Sequence, residues 1–400
     1  MAKLKHLAGW TIVLALFSIG CLRAGETDLP QQSPDAEKPA STDTTVQQQQ
    51  DRPGEWLLAP IPIKSPAIGA GLEWAAARVF SRRADDESPP SVAGVGGAFT
   101  NNGTRAFALG GRFYLRNDKF RIATAAAAAN VNFDFYGSGT QGTSQTFIPL
   151  NASGQAFIGE FLTRFRKNMY VGIRGQYRNV TMSLEKDRLD SSDVTAEPPQ
   201  QVSNLINQIT DVLFHQQTVS LGPRFQWDSR DNVYYPKKGT FMEAAGDFFA
   251  EGLGSKWTYQ YYKTSFNRYQ QLSEHQVIAF RAMGCAAVGD RIPIYDLCLY
   301  GTTNDLRGYA AGHFQDRRMY ATQAEYRLML PVQGFLGRFG VVAFGGVGGV
   351  GEKFSSMNFL PAGGAGLRFR LTKKNPINYR MDYAFGKNGN TLTIGILEAF

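Results

Sequence analysis

Apolar and polar residues alternate with a period of two along most of the chain, most clearly near its carboxyl end. In the stretch 377–386, Ile, Tyr, Met, Tyr and Phe fall on one face, while Asn, Arg, Asp, Ala and Gly fall on the other. The stretches 366–371, 320–328 and 219–228 show the same two faces. Because successive side chains of a β-strand point to opposite sides of its sheet, this period predicts strands.

Short clusters of Asn, Gly, Lys and Pro separate the alternating stretches, for example at 101–103, 373–376 and 387–390. Such clusters are typical of turns. The chain between them divides into about sixteen strands, an even number as single-chain bacterial barrels have. The predicted strands are 55–64, 67–80, 91–100, 104–116, 119–136, 153–166, 168–185, 213–228, 239–251, 256–271, 274–289, 318–332, 336–351, 359–372, 375–387 and 390–400. Alternation does not resolve the faces of 256–271.

The charged residues indicate which face points outward. Glu325 and Arg327 share one face of their predicted strand, and Arg380 and Asp382 share one face of theirs. A charge facing lipid is costly, whereas a charge facing a water-filled lumen stays hydrated. We therefore expect the aromatic and aliphatic faces outside and the charged faces inside, the reverse of a soluble β-sandwich. The sequence predicts an all-β fold, a transmembrane antiparallel β-barrel of residues 55–400.

The first residues indicate where such a barrel is delivered. Lys3 and Lys5 precede an apolar stretch at 7–19, and small residues follow up to Ala24. This is the pattern of a secretory signal peptide, and the stretch is too short for a comfortable membrane-spanning helix. We expect a signal peptide at 1–25 and a barrel in the bacterial outer membrane; a buried amino-terminal helix is the alternative.

A polar segment at 26–54 follows the predicted signal peptide, with a glutamine run at 47–50. It lacks the aromatic and β-branched residues that a core needs, so it buries too little apolar surface to fold alone. We expect a disordered linker with no soluble domain in it.

Composition narrows the classes of function. The formal net charge is +8 at pH 7, but no Lys/Arg run accompanies it, so we expect outer-membrane lipid and lipopolysaccharide as partners and no nucleic acid. His215, His275 and His313 lie in separate segments without metal-ligand spacing. No local arrangement suggests a Ser–His hydrolase. We therefore expect no enzyme activity, no metal and no cofactor.

The chain has three cysteines. Cys21 follows Ser-Ile-Gly, a sequence somewhat like a lipobox, which would make Cys21 a lipidated amino terminus. An oxidising compartment allows a disulfide between Cys285 and Cys298, and two free thiols are the alternative.

Two predicted connections are long, 186–212 and 290–317. Barrels of this kind keep one end short and let the extracellular loops grow. The second connection contains Asp305-Leu306-Arg307-Gly308-Tyr309. Three further features accompany it in order along the chain. They are Asp228-Ser229-Arg230-Asp231-Asn232 with Pro236 and Gly239 behind it, Glu325-Tyr326-Arg327, and the strand segments 363–369 and 380–384.

Together these features resemble the BamA/TamA family of outer-membrane proteins, also called bacterial surface antigens, over about 55–400. The resemblance implies that the 290–317 loop folds into the barrel and that Arg307 pairs with an acid on the wall, here Glu325. Gly308 then turns the backbone sharply, and Tyr309 packs the loop tip. An exposed loop whose arginine meets solvent is the alternative.

The chain departs from the family pattern on the next strand, where a second acidic residue is expected and Gly346 stands. Asp382, which also has lumen parity, is the candidate replacement. The cluster from Asp228 to Gly239 also has a simpler interpretation, a tight turn in which Pro236 sets φ and Gly239 allows positive φ. That interpretation leaves the charged residues of the cluster unexplained.

The resemblance implies a role in assembly or translocation of other proteins, through a weak seam between the first and last strands. Periplasmic POTRA repeats, which receive clients in the family, are not expected in 26–54, and no client is indicated. A passive pore or structural barrel is the alternative. Phe400 is expected to belong to the signal read by the barrel assembly machinery; Leu392, Ile394 and Ile396 fit the apolar pattern that precedes it, and Glu398 does not.

Overall fold

The strands match the period-two pattern over nearly the whole described chain. A computed structural model describes residues 54–65, 69–81, 88–135, 148–185, 214–301, 305–309, 314–371, 376–387 and 389–400. The predicted signal peptide, Cys21 and the predicted loop 186–212 lie outside the described residues, as does the predicted linker apart from Gly54. The strands are β1 (Glu55–Ser65), β2 (Gly69–Phe80), β3 (Ser91–Thr100), β4 (Arg105–Leu115), β5 (Phe120–Phe135), β6 (Ile148–Arg166), β7 (Met169–Leu184), β8 (Phe214–Asp228), β9 (Gly239–Phe249), β10 (Tyr259–Gln271), β11 (Gln276–Val288), β12 (Cys298–Tyr300), β13 (Phe314–Asp316), β14 (Arg318–Met329), β15 (Phe339–Gly351), β16 (Leu360–Arg370), β17 (Asn378–Gly386) and β18 (Gly389–Ile396).

Sixteen of these strands form one antiparallel sheet in the order β1 to β11 and then β14 to β18. Each strand pairs with its neighbour in the chain, so the sheet is an up-and-down meander that curls into a nearly closed barrel. The predicted all-β barrel of about sixteen strands is therefore confirmed. β12 and β13 form a separate hairpin in the connection between β11 and β14.

The barrel has a seam where β1 and β18 lie side by side. No hydrogen-bonded ladder joins these two strands in the described part of the chain. Side chains pack at the seam instead: Ile61 of β1 and Ile396 of β18 belong to one buried cluster. The hydroxyl of Tyr379, on the next strand β17, lies 3.5 Å from the Pro60 carbonyl oxygen. The seam is thus the weakest pairing in the sheet.

The predicted faces are confirmed on the strands where the alternation was clear. Leu367 and Phe385 are 53% and 58% exposed on the outside, whereas Arg368 and Asp382 are 2% and 0% exposed on the inside. A soluble protein hides its apolar side chains, and here the apolar side chains are outside and the ion pairs are inside. None of the helices in the described ranges is long and apolar enough to cross a membrane.

The structure also resolves the faces of β10. Its inner face carries Tyr259, Ser265, Asn267 and Tyr269, all buried. Aromatic residues therefore occur on both faces of this strand. Because alternation separates apolar from polar types only, tyrosines that serve as polar lumen residues conceal the pattern.

Several predicted bounds were wrong. β6 begins at Ile148, earlier than predicted, and β18 ends at Ile396 rather than at residue 400. Leu397 has a positive φ of 68°, which turns the chain out of the strand. Ile377, predicted to face outward, is buried with Ile396 in the seam cluster, because it precedes the first residue of β17.

Antiparallel order places the long connections, between β5 and β6, β7 and β8, and β11 and β14, at one end of the barrel. We call this the long-loop end, and we call the opposite end the short-turn end. The described chain starts and finishes at the short-turn end. In barrels of this kind the long loops are extracellular.

Candidate functional site: a loop held in the lumen

The connection between β11 and β14 folds into the barrel. Its β12–β13 hairpin and its tip pack into a buried apolar cluster against the wall. Tyr300, Leu306 and Phe314 are each 0% exposed, and they meet Val350 and Leu360 of the wall strands. The family resemblance implied that this loop folds into the barrel, and the described residues of the connection do so.

Arg307 is the centre of the site. Its Nη1 donates to Asp382 Oδ2 at 2.8 Å, its Nη2 pairs with the Glu325 carboxylate, and its Nε donates to Gln323 Oε1 at 3.2 Å. The guanidinium lies 3.5 Å from the centre of the Phe344 ring. Arg307 is 1% exposed, so its guanidinium nitrogens find their hydrogen-bond partners inside the protein. The planar fork suits two carboxylates on different strands, which a point charge cannot match.

Gly346 explains why the second acid comes from β17. A Cβ at this position would lie 2.8 Å from Leu306 Cδ1 and 2.1 Å from the Thr322 carbonyl oxygen, so the site has no space for a side chain. The loop tip occupies that space. Asp382 reaches Arg307 from β17, where its backbone partner is Gly366. A Cβ on Gly366 would lie 2.0 Å from Asp382 Oδ1, so this glycine makes room for the carboxylate.

The loop tip is fixed by backbone shape and by a phenol. Gly308 has a φ of +121°, and a Cβ there would lie 2.8 Å from Ala362 Cβ. The Tyr309 hydroxyl donates to the Pro361 carbonyl oxygen at 2.5 Å and accepts from the Lys387 amide at 3.1 Å. Burial raises the pKa of Tyr309 above its ordinary value, against an opposing effect of the Lys387 amide. The tip thus contacts β16 and the β17–β18 turn, next to the seam.

Sequence reasoning missed a second anchor on the opposite wall. Arg178 of β7 donates from Nη1 and Nη2 to the two carboxylate oxygens of Asp296 at 2.7 and 2.5 Å. The Tyr259 hydroxyl also bonds Asp296, and Tyr295 donates to Gln216 Oε1 at 3.0 Å. The polarity is reversed relative to Arg307, because here the wall supplies the cation and the loop supplies the acid. Lumen parity of Arg178 was the available signal, but parity does not name a partner.

A third anchor is covalent. Cys285 of β11 and Cys298 of β12 form a disulfide with a Cα–Cα distance of 5.8 Å. Both cysteines are buried, at 3% and 0% exposure. The bridge ties the start of the loop to the strand that precedes it.

Replacing Cys298 by serine is expected to lower the free energy of unfolding by about 3 kcal/mol in the chain-entropy model for a loop of this size. Urea unfolding of the refolded variant measures this, with the reduced wild-type protein as the matched control. Mass spectrometry of unreduced peptides should find the two cysteines linked. Two alkylatable thiols in the untreated protein would contradict the assignment.

The Asp228–Gly239 cluster is a turn whose charges have structural roles. Arg230 donates from Nε and Nη2 to both oxygens of Asp228 at 2.6 Å. Asn232 Oδ1 accepts from the Tyr234 and Tyr235 amides at 2.8 and 2.9 Å.

The second half of this turn is closed from Asp231. Its Oδ1 accepts from the Lys237 and Lys238 amides at 3.0 and 3.1 Å, directly after the buried Pro236. Gly239 has a φ of +106°, and a Cβ there would lie 2.2 Å from the Ser229 carbonyl oxygen. The cluster therefore folds the segment between β8 and β9 so that Tyr234 and Tyr235 are buried at the short-turn end.

Phe400 is not on the outer face of β18. It is 5% exposed and lies inside the barrel with Tyr269, Ala279 and Ala399. Glu398 also points inward, where its carboxylate pairs with Arg368 at 2.6 Å. Its charge therefore does not face lipid. A role of Phe400 in assembly stays a prediction. That role concerns the unfolded chain, before Phe400 reaches its place inside the barrel. Within the described ranges, no group of three or more His, Cys, Asp or Glu residues is arranged to hold a metal ion.

Comparison with known proteins places this geometry in a family. Residues 97–391 match the model of the Omp85 superfamily domain. Among solved structures, the chain is similar to BamA from Haemophilus ducreyi lacking POTRA domains 1-3, with 12% identity and a TM-score of 0.52, covering 87% of this chain and 74% of that one. It is also similar to CdiB from Acinetobacter baumannii, with 11% identity and a TM-score of 0.52, covering 85% of this chain and 59% of that one. The comparison with curated proteins found no match.

At these identities the structural similarity establishes the barrel fold, and the family match carries the assignment. That match spans more than half of the chain and includes the loop tip, Glu325 and Asp382. The resemblance inferred from the sequence motifs is confirmed. The chain belongs to the Omp85 superfamily, as a barrel of the BamA/TamA type.

Proposed function

We propose that this protein is an integral outer-membrane barrel that assists the insertion or translocation of another polypeptide. The observation that carries the proposal is the seam: β1 and β18 are the two edges of the sheet, and no ladder pairs them within the described residues. Unpaired strand edges are templates for another strand. A client segment with β-forming sequence would pair there first.

The loop held inside the lumen supports this function over a passive pore. Arg307, Arg178 and the Cys285–Cys298 bridge hold one loop to the wall at three places. A passive pore needs an open water-filled path, and a loop held in the lumen by buried apolar contacts and ion pairs works against such a path. The purified protein in planar bilayers is therefore expected to be mostly closed. A large steady conductance would favour the passive pore instead.

The experiment that tests the proposal closes the seam covalently. Ile61→Cys and Ile396→Cys place a cysteine pair in the seam cluster. A matched control pair, Ala365→Cys and Tyr383→Cys, lies directly opposed on β16 and β17, where the ladder is continuous. Each protein is placed in liposomes, and the folding rate of a small, urea-unfolded outer-membrane barrel is measured before and after oxidation.

Oxidation of the seam pair is expected to abolish the acceleration of folding, and oxidation of the control pair is expected to leave it unchanged. Acceleration that persists with the seam closed would show that client strands do not enter there. Absence of acceleration in the wild-type protein would contradict an insertion role.

Residence in the membrane gives a separate prediction. Leu109, at the middle of β4, is 49% exposed, and Leu336, in the β14–β15 turn, is 61% exposed. Leu109→Arg is expected to destabilise the liposome-embedded barrel by about 2–4 kcal/mol, and Leu336→Arg by about 0–1 kcal/mol, because the cost of a charge depends on its depth. Urea unfolding in liposomes measures both. Equal small effects would show that the β4 face does not meet lipid.

We propose lipopolysaccharide and outer-membrane lipid as the surroundings of the barrel and the barrel assembly machinery as its partner during biogenesis. The apolar outer face supports the first, since a face of this kind requires a hydrocarbon environment. The folded protein is expected to migrate faster on a gel unheated than boiled, and to fractionate with outer membranes. Recovery in a soluble periplasmic fraction would contradict this location.

A further inference from the structure

The last residues of the described chain cross the inside of the barrel. Leu397, with its positive φ, turns the chain away from β18, and its amide donates to the Asn378 carbonyl oxygen at 2.7 Å. Glu398, Ala399 and Phe400 then run along the inner wall at the short-turn end. We call these three residues the tail. Ala399 and Phe400 are 3% and 5% exposed, and the Glu398 side chain is 2% exposed, so the tail is enclosed.

Each tail residue contacts a cationic side chain on the wall. Glu398 accepts from Arg368 Nε at 2.6 Å and from Asn378 Nδ2 at 2.8 Å. The Ala399 carbonyl oxygen accepts from Arg281 Nη1 at 3.1 Å. The Phe400 carbonyl oxygen accepts from Arg327 Nη2 at 2.5 Å.

The aromatic side chain has a pocket of its own. The Arg281 and Arg327 guanidinium groups lie 5.4 and 5.5 Å from the centre of the Phe400 ring. Tyr269 and Ala279 complete the apolar contacts. A ring placed between guanidinium groups gains cation–π attraction in addition to apolar burial, and removal from water strengthens that attraction.

These contacts match a short peptide with an acidic residue at its first position, a small residue at its second and an aromatic residue at its third. Two of the six polar and cationic contacts are to backbone oxygens, which any peptide presents, whereas the acid and ring contacts select sequence. Two of the cations are held by wall acids independently of the tail, because Glu325 binds Arg327 and Asp382 binds Arg368. Preorganised groups of this kind lose little freedom on binding.

We propose that Arg281, Arg327, Arg368, Asn378 and Tyr269 form a peptide-binding site in the lumen that recognises an acidic–small–aromatic segment, and that the protein's own tail occupies it. A second polypeptide with the same sequence chemistry competes with the tail for the site. The proposal goes beyond the proposed function and stands independently of it, since binding is measured without any client being assembled.

The test uses the full-length refolded protein in detergent and a fluorescein-labelled peptide with the sequence of residues 395–400. Fluorescence anisotropy compares the wild-type barrel with the double variant Glu398→Gln, Phe400→Ala, whose own tail is a weaker competitor. The variant is expected to bind the peptide at least about tenfold more tightly. More of its sites are free of the tail, and the apparent affinity rises in proportion to the fraction of free sites. The single variant Phe400→Ala keeps the Glu398 contact and serves where the double variant does not refold.

Specificity is tested on both partners. Peptides with Gln in place of the acid or Ala in place of the ring are expected to bind about tenfold more weakly. Adding Arg327→Gln to the tail variant is expected to cause a similar loss. Arg338→Gln is the matched control, since Arg338 lies at the same end but donates to the Arg370 and Leu371 carbonyl oxygens, outside the site.

Equal binding of all three peptides would overturn the proposal, as would binding that Arg327→Gln does not change. A tail variant that binds no more tightly than the wild-type barrel would also overturn it. Client-folding activity does not enter any of these measurements, so failure of the peptide site and failure of the insertion role are separate results.

Discussion

Replacing Glu325 by glutamine is expected to lower the free energy of unfolding by about 3–5 kcal/mol, the usual cost of leaving buried charges without their partner. Glu325 pairs with Arg307 and Arg327 at once, and all three side chains are at most 1% exposed. Removing the acid takes from Arg327 the carboxylate that it pairs with, and it leaves Arg307 with Asp382 alone. Equilibrium urea unfolding of the refolded barrel, followed by tryptophan fluorescence, measures the effect.

The charge balance of the site predicts a smaller loss for Arg307→Ala. The guanidinium groups of the network outnumber its carboxylates: Arg307, Arg327, Arg368 and Arg380 face Glu325, Asp382 and Glu398. After removal of Arg307 the acids keep other cations, so we expect a loss of about 1–3 kcal/mol, mainly from the detached loop tip. Arg307→Lys should recover part of it, because an ammonium cannot copy the fork.

Coupling between the two residues is the sharper measurement. A double-mutant cycle of Arg307→Ala and Glu325→Ala is expected to give an interaction energy of about 0.5–3 kcal/mol. Asp382→Asn should also weaken the attachment of the loop tip, since Asp382 supplies the second carboxylate that Arg307 contacts. Arg166→Ala is the matched control: this arginine is exposed at the end of β6, and a change within about 0.5 kcal/mol is expected. Additive effects below about 1 kcal/mol at positions 307 and 325 would contradict a buried ion pair between them.

The second large effect is expected at the opposite wall. Arg178→Ala leaves Asp296 enclosed with the Tyr259 hydroxyl and without its cation, and we expect a cost of about 3–5 kcal/mol. Loss of this anchor should also make the loop between β11 and β14 accessible to protease, while the Arg307 contacts remain.

Arg174→Ala is the matched control for this prediction, because Arg174 lies on the same face of β7. Arg174 is partly exposed, and its partner Asp247 keeps a second cation in Arg224. A loss of about 0–1 kcal/mol is expected there. If Arg178→Ala and Arg174→Ala had the same small effect, the loop would not depend on the β7 anchor.

The loop tip and the tail site are linked through shared acids. Glu325 binds both Arg307 of the loop tip and Arg327, which holds Phe400. Asp382 binds both Arg307 and Arg368, which holds Glu398. The loop tip and the chain beyond β18 therefore depend on the same two carboxylates. A change at either carboxylate is expected to affect the loop tip and the tail together.

Local residue order predicted the strands and their faces. Alternation in 366–371 and 377–386 reports directly on neighbouring positions of one strand, and the charged face had to be inside because lipid does not solvate charge. Alternation did not predict the faces correctly at two places. On β10 tyrosines serve the lumen, and at Ile377 the strand has not yet begun.

The sequence by itself determined the barrel and the orientation of its faces, because alternation is a property of neighbouring residues. The family resemblance implied the pairing of Arg307 with Glu325, and strand parity placed Glu325 in the lumen. Only the tertiary structure decided the partners that are far apart in sequence. Arg178 and Asp296 are separated by 118 residues, as are Arg281 and Ala399. Closure of the sheet brings opposite walls within reach of one loop, and the turn at Leu397 brings the tail inside. These contacts depend on the curvature of the whole sheet, which no short stretch of sequence contains.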